Sequence, residues 1–201
     1  MANLITLFRV ILAFYLLVML NYETTKLFYV TAIFLTLAVI LLDAFDGWVA
    51  RKFNETSKIG SIIDILGDRI VENAYWIVFC AYGWVDMWVP LIFMTRSLVT
   101  DTLRGIAFAD GCTAFGEDSL VQSKIGRFLT ASRFSRAVYG AAKVFAFITV
   151  IACHVPDFIP PQWLISFMYL SVNVTVIFCV LRALPVIQAS KKYFVKENQN
   201  G

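Results

Sequence analysis

The sequence predicts an all-α integral membrane protein with six transmembrane helices. Three observations predict it. The chain is 60% hydrophobic and 15% charged over 201 residues, against roughly 45–50% apolar and about 25% charged in ordinary soluble domains. Its apolar residues gather into six stretches, each near the length that a helix needs to cross a bilayer. The polar breaks between those stretches alternate in charge.

In chain order the stretches run roughly 3–20, 27–49, 61–83, 87–109, 131–153 and 163–187. Asn21 to Lys26 is a polar break, and Arg51 to Lys58 a charged one. Asp110 to Gly126 is long, polar and glycine-containing, and Pro156, Pro160 and Pro161 mark the last break. Glu197 to Gly201 reads as disordered. No internal repeat interrupts this order, so residues 1–201 are expected to form a single transmembrane domain. The first apolar run contains Arg9 and lacks a small-residue cleavage site, which argues against a cleaved signal peptide. Cys80, Cys112, Cys153 and Cys179 form no CxxC pair and read as small hydrophobes.

Alternate breaks differ in cation content. One set carries Arg51, Lys52 and Lys58, then Lys124, Arg127, Arg133 and Arg136, then Lys191, Lys192 and Lys196. The other set carries Lys26 and no further Lys or Arg. The positive-inside rule places the first set, and both termini, in the cytoplasm. Trp84, Trp88 and Trp163 flank the opposite breaks as interfacial aromatics do. The formal charge of +3 is too small to suggest a nucleic-acid partner.

Four carboxylates then stand out. Asp43 and Asp46 end the second stretch, and Asp64 and Asp68 begin the third. Ionised side chains at membrane depth are costly and usually functional. Spacings of three and four put each pair on one helix face, and helices joined by a short loop pack as neighbours. Four such carboxylates would raise one another's pKa values unless cations lay between them. Two divalent ions would answer that, and oxygen ligands without His or Cys favour Mg²⁺, Mn²⁺ or Ca²⁺ over zinc. Gly47, Ala50 and Gly60 leave room for helix packing or for a ligand, and Arg51 supplies a cation suited to phosphate. All these residues fall at cytoplasmic helix ends, which implies a cytoplasm-facing intramembrane active site for a diphosphate.

Asp43, Asp46, Gly47, Ala50, Arg51, Gly60, Asp64 and Asp68 fit D-x2-D-G-x2-A-R-x8-G-x3-D-x3-D without a gap. On these residues the chain resembles the CDP-alcohol phosphatidyltransferases, whose six-helix architecture matches the six stretches. The resemblance implies an enzyme in which an alcohol attacks the β-phosphate of a CDP-linked donor, usually CDP-diacylglycerol, and CMP leaves. It implies Asp43, Asp46 and Asp64 as ligands of two Mg²⁺ or Mn²⁺ ions. Asp68 is implied as the general base, and as a possible fourth metal ligand. Asp43, Gly47, Ala50, Arg51 and Gly60 would surround the cytidine diphosphate. A homodimer among membrane lipids is implied as well; a short chain without a transit peptide suggests a bacterial or archaeal source, and a bacterial inner membrane is the expected location.

Other residues bear on the acceptor. Asn3, Leu4, Thr6 and Arg9 form NLxTxxR, which resembles the start of phosphatidylglycerophosphate synthases, with Ala2 where those usually have Pro. Arg96 and Arg104 match the arginines of that group's R-E-I-x5-R stretch, with Ser97 in place of Glu. Gly126, Arg127 and Thr130 resemble its G-K-x-K-T motif. Arg96, Arg104 and Arg127 are therefore expected to grip a phosphate on the acceptor, as arginine forks do. Glycerol 3-phosphate fits, as does inositol phosphate. Against this, Arg96 and Arg104 can snorkel to headgroups or pair with Asp101, and Arg127, with Arg133 and Arg136, can bind headgroups or simply set topology. Asp68-Arg69 resembles inositol-type members, Glu72 is expected to pair with Arg69 in preference to lining the acceptor pocket, and Ser132 to Lys143 matches neither group. A second reading keeps the chemistry with inositol phosphate, inositol, serine or another alcohol. A third, a small cation transporter, would show inverted repeats and broken helices, and neither is evident.

Overall fold

The computed structural model describes residues 2–52, 58–109 and 121–197, and for 43–52 it describes the helix without its side chains. The described residues form seven helices: α1 Ala2–Tyr22, α2 Lys26–Lys52, α3 Lys58–Ala81, α4 Trp88–Ala109, α5 Lys124–Ala131, α6 Arg133–Cys153 and α7 Gln162–Glu197. Each of the six apolar stretches coincides with one helix. The seventh, α5, is an addition. It begins inside the stretch expected to be a polar break, because Ser123 caps it by accepting a hydrogen bond from Gly126 N–H at 3.1 Å.

Among the described residues, three helical segments are long and apolar enough to cross a membrane: Leu4–Tyr22, Phe134–Cys153 and Gln162–Lys191. Lys26–Leu42, the part of α2 whose side chains are described, is a shorter apolar segment. In α3 and α4 the charges that lower the hydropathy are the ones of interest. α3 carries Asp64, Asp68, Arg69 and Glu72, and α4 carries Arg96, Asp101 and Arg104.

The chain divides into two compact units, residues 1–90 with 144–171, and residues 91–143 with 172–201. The first unit packs α1 against both α2 and α3. Its centre is an aromatic cluster without solvent contact, formed by Tyr75, Trp76 and Phe79 of α3. Phe147 of α6 stacks on Tyr75 at 4.5 Å between ring centroids and meets Trp76 edge-on at 4.9 Å. Such pairs contribute about 0.5–1.5 kcal/mol beyond their buried area. The Tyr75 hydroxyl donates to Thr36 Oγ1 at 3.0 Å, which ties α3 to α2. Cys153 is buried here as a small apolar group.

α3 ends on Gly83, whose φ of +71° a glycine adopts without strain. Its N–H reaches Cys80 O at 2.9 Å while Trp84 N–H reaches Phe79 O at 2.8 Å, closing the last turn. Trp84 then stacks on His154 at 4.6 Å. Burial lowers the His154 pKa from its usual value, against the opposing effect of its hydrogen bond to Val150 O. Trp88 and Trp163 are exposed at 42% and 69%, as interfacial tryptophans would be.

The second unit has an apolar centre of Leu103 and Ala107 on α4, Val121, and Val186 with Ala189 on α7. Its α5–α6 corner is pinned by Arg182 of α7. That guanidinium donates from Nη1 to Leu129 O and Ser135 Oγ, both at 2.8 Å, and from Nη2 to Thr130 O at 3.4 Å. It also lies over the Tyr139 ring at 5.3 Å. The run from Ser132 to Lys143, which matched no motif, thus builds this corner. Ser132 Oγ accepts from Ser135 N–H at 3.0 Å, Ser135 Oγ donates to Leu129 O at 2.7 Å, and Tyr139 covers the cation.

Candidate active site

Asp64 and Asp68 lie one turn apart on α3, both half-buried, with Gly60 one turn before them. Asp64 Oδ1 is cut off from solvent, whereas the Asp68 side chain keeps 39% of its surface open. Asp68 Oδ1 accepts a hydrogen bond from Arg9 Nη1 of α1 at 2.9 Å, and the Arg9 side chain is 3% exposed. Gly67 makes that approach possible. A Cβ at 67 would stand 2.7 Å from Thr6 Cγ2 and 3.3 Å from Arg9 Nη2. The expected Arg69–Glu72 pair forms at 3.0 Å, and Glu72 is buried within it.

Asp43, Asp46, Gly47, Ala50 and Arg51 fall on the last turns of α2, and their side chains lie outside the described residues. The described residues accordingly hold no group of three or more His, Cys, Asp or Glu arranged for a metal. The half of the acid set that is described still fits a hard divalent cation. Its donors are carboxylate oxygens one helical turn apart, one of them hidden from water.

The three arginines expected at the acceptor's phosphate all belong to the second unit, and they differ. Arg96 is 8% exposed, on the face of α4 that also buries Phe93, Ser97, Thr100 and Leu103. Its Nε and Nη1, and the neighbouring Ser97 Oγ, are buried and meet no hydrogen-bond partner among the described residues. Arg104 is 37% exposed and pairs with Asp101 at 3.9 Å, the local alternative visible in the sequence. Arg127 is half-buried on α5, with Nε donating to Val121 O at 3.4 Å.

Two cations were missed by sequence reasoning about the site. Arg9 stands in a motif that was noticed, but its partner is 59 residues away. Arg182 lies inside the sixth stretch, and an unexplained cation at membrane depth is itself a signal.

Comparison with known proteins bears on what these residues do. A CDP-diacylglycerol–glycerol-3-phosphate 3-phosphatidyltransferase of Escherichia coli (strain K12) is 33% identical over 106 residues, covering 51% of this chain and 57% of that protein. The enzyme so named from Mycoplasma genitalium is 31% identical over 75 residues, covering 37% of this chain and 32% of that one. A CDP-diacylglycerol–inositol 3-phosphatidyltransferase of Schizosaccharomyces pombe is 44% identical over 41 residues, covering 20% of this chain and 17% of its own length. The chain thus spans about a third to somewhat over half of the glycerol-3-phosphate enzymes named here. The profile of the CDP-alcohol phosphatidyltransferases matches residues 1–181, a range that contains the whole eight-position signature from Asp43 to Asp68, and the chain belongs to that family.

Proposed function

We propose that this protein is a membrane enzyme of phospholipid synthesis. It transfers a phosphatidyl group from CDP-diacylglycerol to an alcohol, with glycerol 3-phosphate as the acceptor, and releases CMP. The observation that carries this reading is the ungapped signature from Asp43 to Asp68 inside a family match over residues 1–181. In the proposed topology all six long helices span a bacterial inner membrane as a single domain, with the termini and the acids on the cytoplasmic side. A homodimer is the assembly expected from family resemblance.

Asp43, Asp46, Asp64 and Asp68 would hold two divalent cations, Mg²⁺ or Mn²⁺. Bound there, such ions neutralise diphosphate charge and stabilise the departing CMP. The chain's own groups do the rest. Gly47, Ala50 and Gly60 let the nucleotide diphosphate approach, and Arg51 pairs with its charge. Asp68 accepts the proton of the acceptor hydroxyl as its oxygen bonds to phosphorus and the bond to CMP breaks. Arg96, Arg104 and Arg127 are assigned to the acceptor's phosphate. Arg96 has the strongest support, because a buried guanidinium with open donors suits an anionic ligand.

The inositol reading keeps one specific support, the Schizosaccharomyces pombe relative. Arg69, which suggested it, is engaged by Glu72 at 3.0 Å. One experiment tests both. Purified protein is given CDP-diacylglycerol with Mg²⁺ or Mn²⁺ and a panel of acceptors, and CMP release is followed with and without EDTA. Glycerol 3-phosphate should be the best acceptor, and EDTA should abolish turnover. Equal rates with glycerol or free inositol would refute the phosphate-bearing acceptor. No CMP release with any acceptor, or full turnover in EDTA, would refute the enzyme as described.

A further inference from the structure

We propose that Arg9 is a positioning residue for Asp68, acting on the reaction through the carboxylate and not by touching substrate. The proposal rests on Asp68 being the proton acceptor, and four observations lead to it. Arg9 is the one charged side chain of α1. A lone cation on a membrane helix persists when it is paired and has a task. Its partner is Asp68, at 2.9 Å, across the packing of α1 on α3. The exposures are unequal, 3% for Arg9 against 39% for Asp68, so within the pair the carboxylate is the member open to an incoming molecule. Finally, the fold makes room for the contact. Gly67 stands beside Asp68, and a methyl group there would collide with Thr6 Cγ2 and crowd Arg9 Nη2.

A guanidinium held on Oδ1 sets the side-chain torsions of Asp68. The carboxylate is then presented in one orientation, and an acceptor hydroxyl meets it already aligned. Without Arg9 the same carboxylate would sample several rotamers. Misplacement on that scale costs turnover far more than it costs binding. An ordinary interhelix strut would behave differently, since its loss would lower stability and weaken every substrate together.

The test uses the full chain in detergent, with Arg9→Gln, Arg9→Lys, Gly67→Ala, Asp68→Asn and the Arg9→Gln/Asp68→Asn double variant. CMP release gives kcat and KM, equilibrium binding of labelled CDP with Mg²⁺ reports the donor site without turnover, and thermal unfolding checks folding. Arg9→Gln should lose roughly 10- to 100-fold in kcat, with donor KM and CDP affinity within about threefold. Arg9→Lys should recover part of the loss, because an ammonium supplies the charge without the planar fork. The double variant should be no slower than Asp68→Asn alone, as expected of residues acting as a unit. If Arg9→Gln does not fold, Gly67→Ala carries the test: kcat should fall while CDP affinity holds.

Wild-type kcat in Arg9→Gln beside a slow Asp68→Asn would overturn the Arg9 proposal alone. Losses that multiply in the double variant, or CDP affinity that falls in step with kcat, would do the same. Normal turnover by Asp68→Asn would remove the base itself, and this proposal with it.

Discussion

Two arginines of the second unit, one buried and one half-buried, should respond oppositely to the same substitution. Arg96→Met removes a guanidinium whose Nε and Nη1 meet no acceptor among the described residues, at 8% exposure. A buried polar group without a partner costs about 1–3 kcal/mol. Two nitrogens of one planar group are not independent, so relief of about 2–3 kcal/mol is expected. Methionine keeps most of the apolar stem in place. Arg182→Met instead removes two contacts of 2.8 Å, to Leu129 O and Ser135 Oγ, from a charged donor. Each such bond contributes about 1.5–3 kcal/mol net, and with partial overlap the loss is about 2–4 kcal/mol. For a chain of this size about 1 kcal/mol moves the midpoint by roughly 2–4 °C. In thermal unfolding without substrate, Arg96→Met should therefore melt roughly 4–12 °C higher and Arg182→Met roughly 4–16 °C lower. Glycerol 3-phosphate should protect the wild type and not Arg96→Met, because only a ligand that binds the folded state raises the midpoint. The acceptor KM of Arg96→Met should rise roughly 10- to 160-fold, the equivalent of about 1.5–3 kcal/mol. A midpoint that falls in Arg96→Met as far as in Arg182→Met would refute the reasoning. It would mean that Arg96 is satisfied within the folded protein and is not waiting for an anion.

Asp68→Asn should bind labelled CDP nearly as the wild type does and turn over roughly 10²- to 10⁴-fold more slowly; loss of CDP binding would make it chiefly a metal ligand. Gly83→Ala should cost about 1–2 kcal/mol, measured by unfolding, since no atom stands within 4 Å of the added methyl and only the φ of +71° opposes it. Gly83→Asn should cost less, and equal costs would point to something other than backbone strain. His154 has its pKa lowered in the fold by burial, so the unfolded chain binds a proton more readily. Stability from this group is full above the unfolded value near 6.5 and lost as pH falls through it toward the folded value. His154→Gln should flatten that decline, and an unchanged pH profile of unfolding would exclude the group.

The helices and the acids were legible in the sequence for the same reason. Both are local patterns: a run of about 20 apolar residues, or two carboxylates three or four apart. The Arg69–Glu72 and Arg104–Asp101 pairs, each at i,i+3, were legible on that rule too. Contacts between helices were not. Arg9 and Asp68 are 59 residues apart and Arg182 and Leu129 are 53 apart, and no periodicity links such positions. Helix α5 escaped because eight residues are too few for a span and Gly126 reads as loop. The Ser123 cap and the exposed apolar pair Ile125 and Phe128, one turn apart, were the available signals. Gly126 itself is a packing residue, since a Cβ there would lie 2.5 Å from Val121 Cγ1 and 3.0 Å from Pro185 Cβ.

The arginines of the two units can be ordered by what already engages them. Arg9 is held by a carboxylate at 2.9 Å and Arg182 by three oxygen acceptors. For either to take up a ligand's phosphate it would first have to give up bonds that the fold is built on, and the ligand would have to repay them. Arg104 faces a smaller version of the same obstacle, an ion pair at 3.9 Å with more than a third of its surface open to solvent. Arg127 gives one long bond of 3.4 Å from Nε. Arg96 is buried, and its Nε and Nη1 meet no hydrogen-bond partner among the described residues. The folded state carries the cost of that arrangement, and an anionic ligand would recover it on binding. Affinity gained this way is selective, because a neutral alcohol recovers nothing. The order of effect on the acceptor KM should therefore be Arg96 first, Arg127 second and Arg104 last. Arg104→Met raising the acceptor KM more than Arg96→Met would show that burial and open donors do not identify the phosphate ligand in this protein.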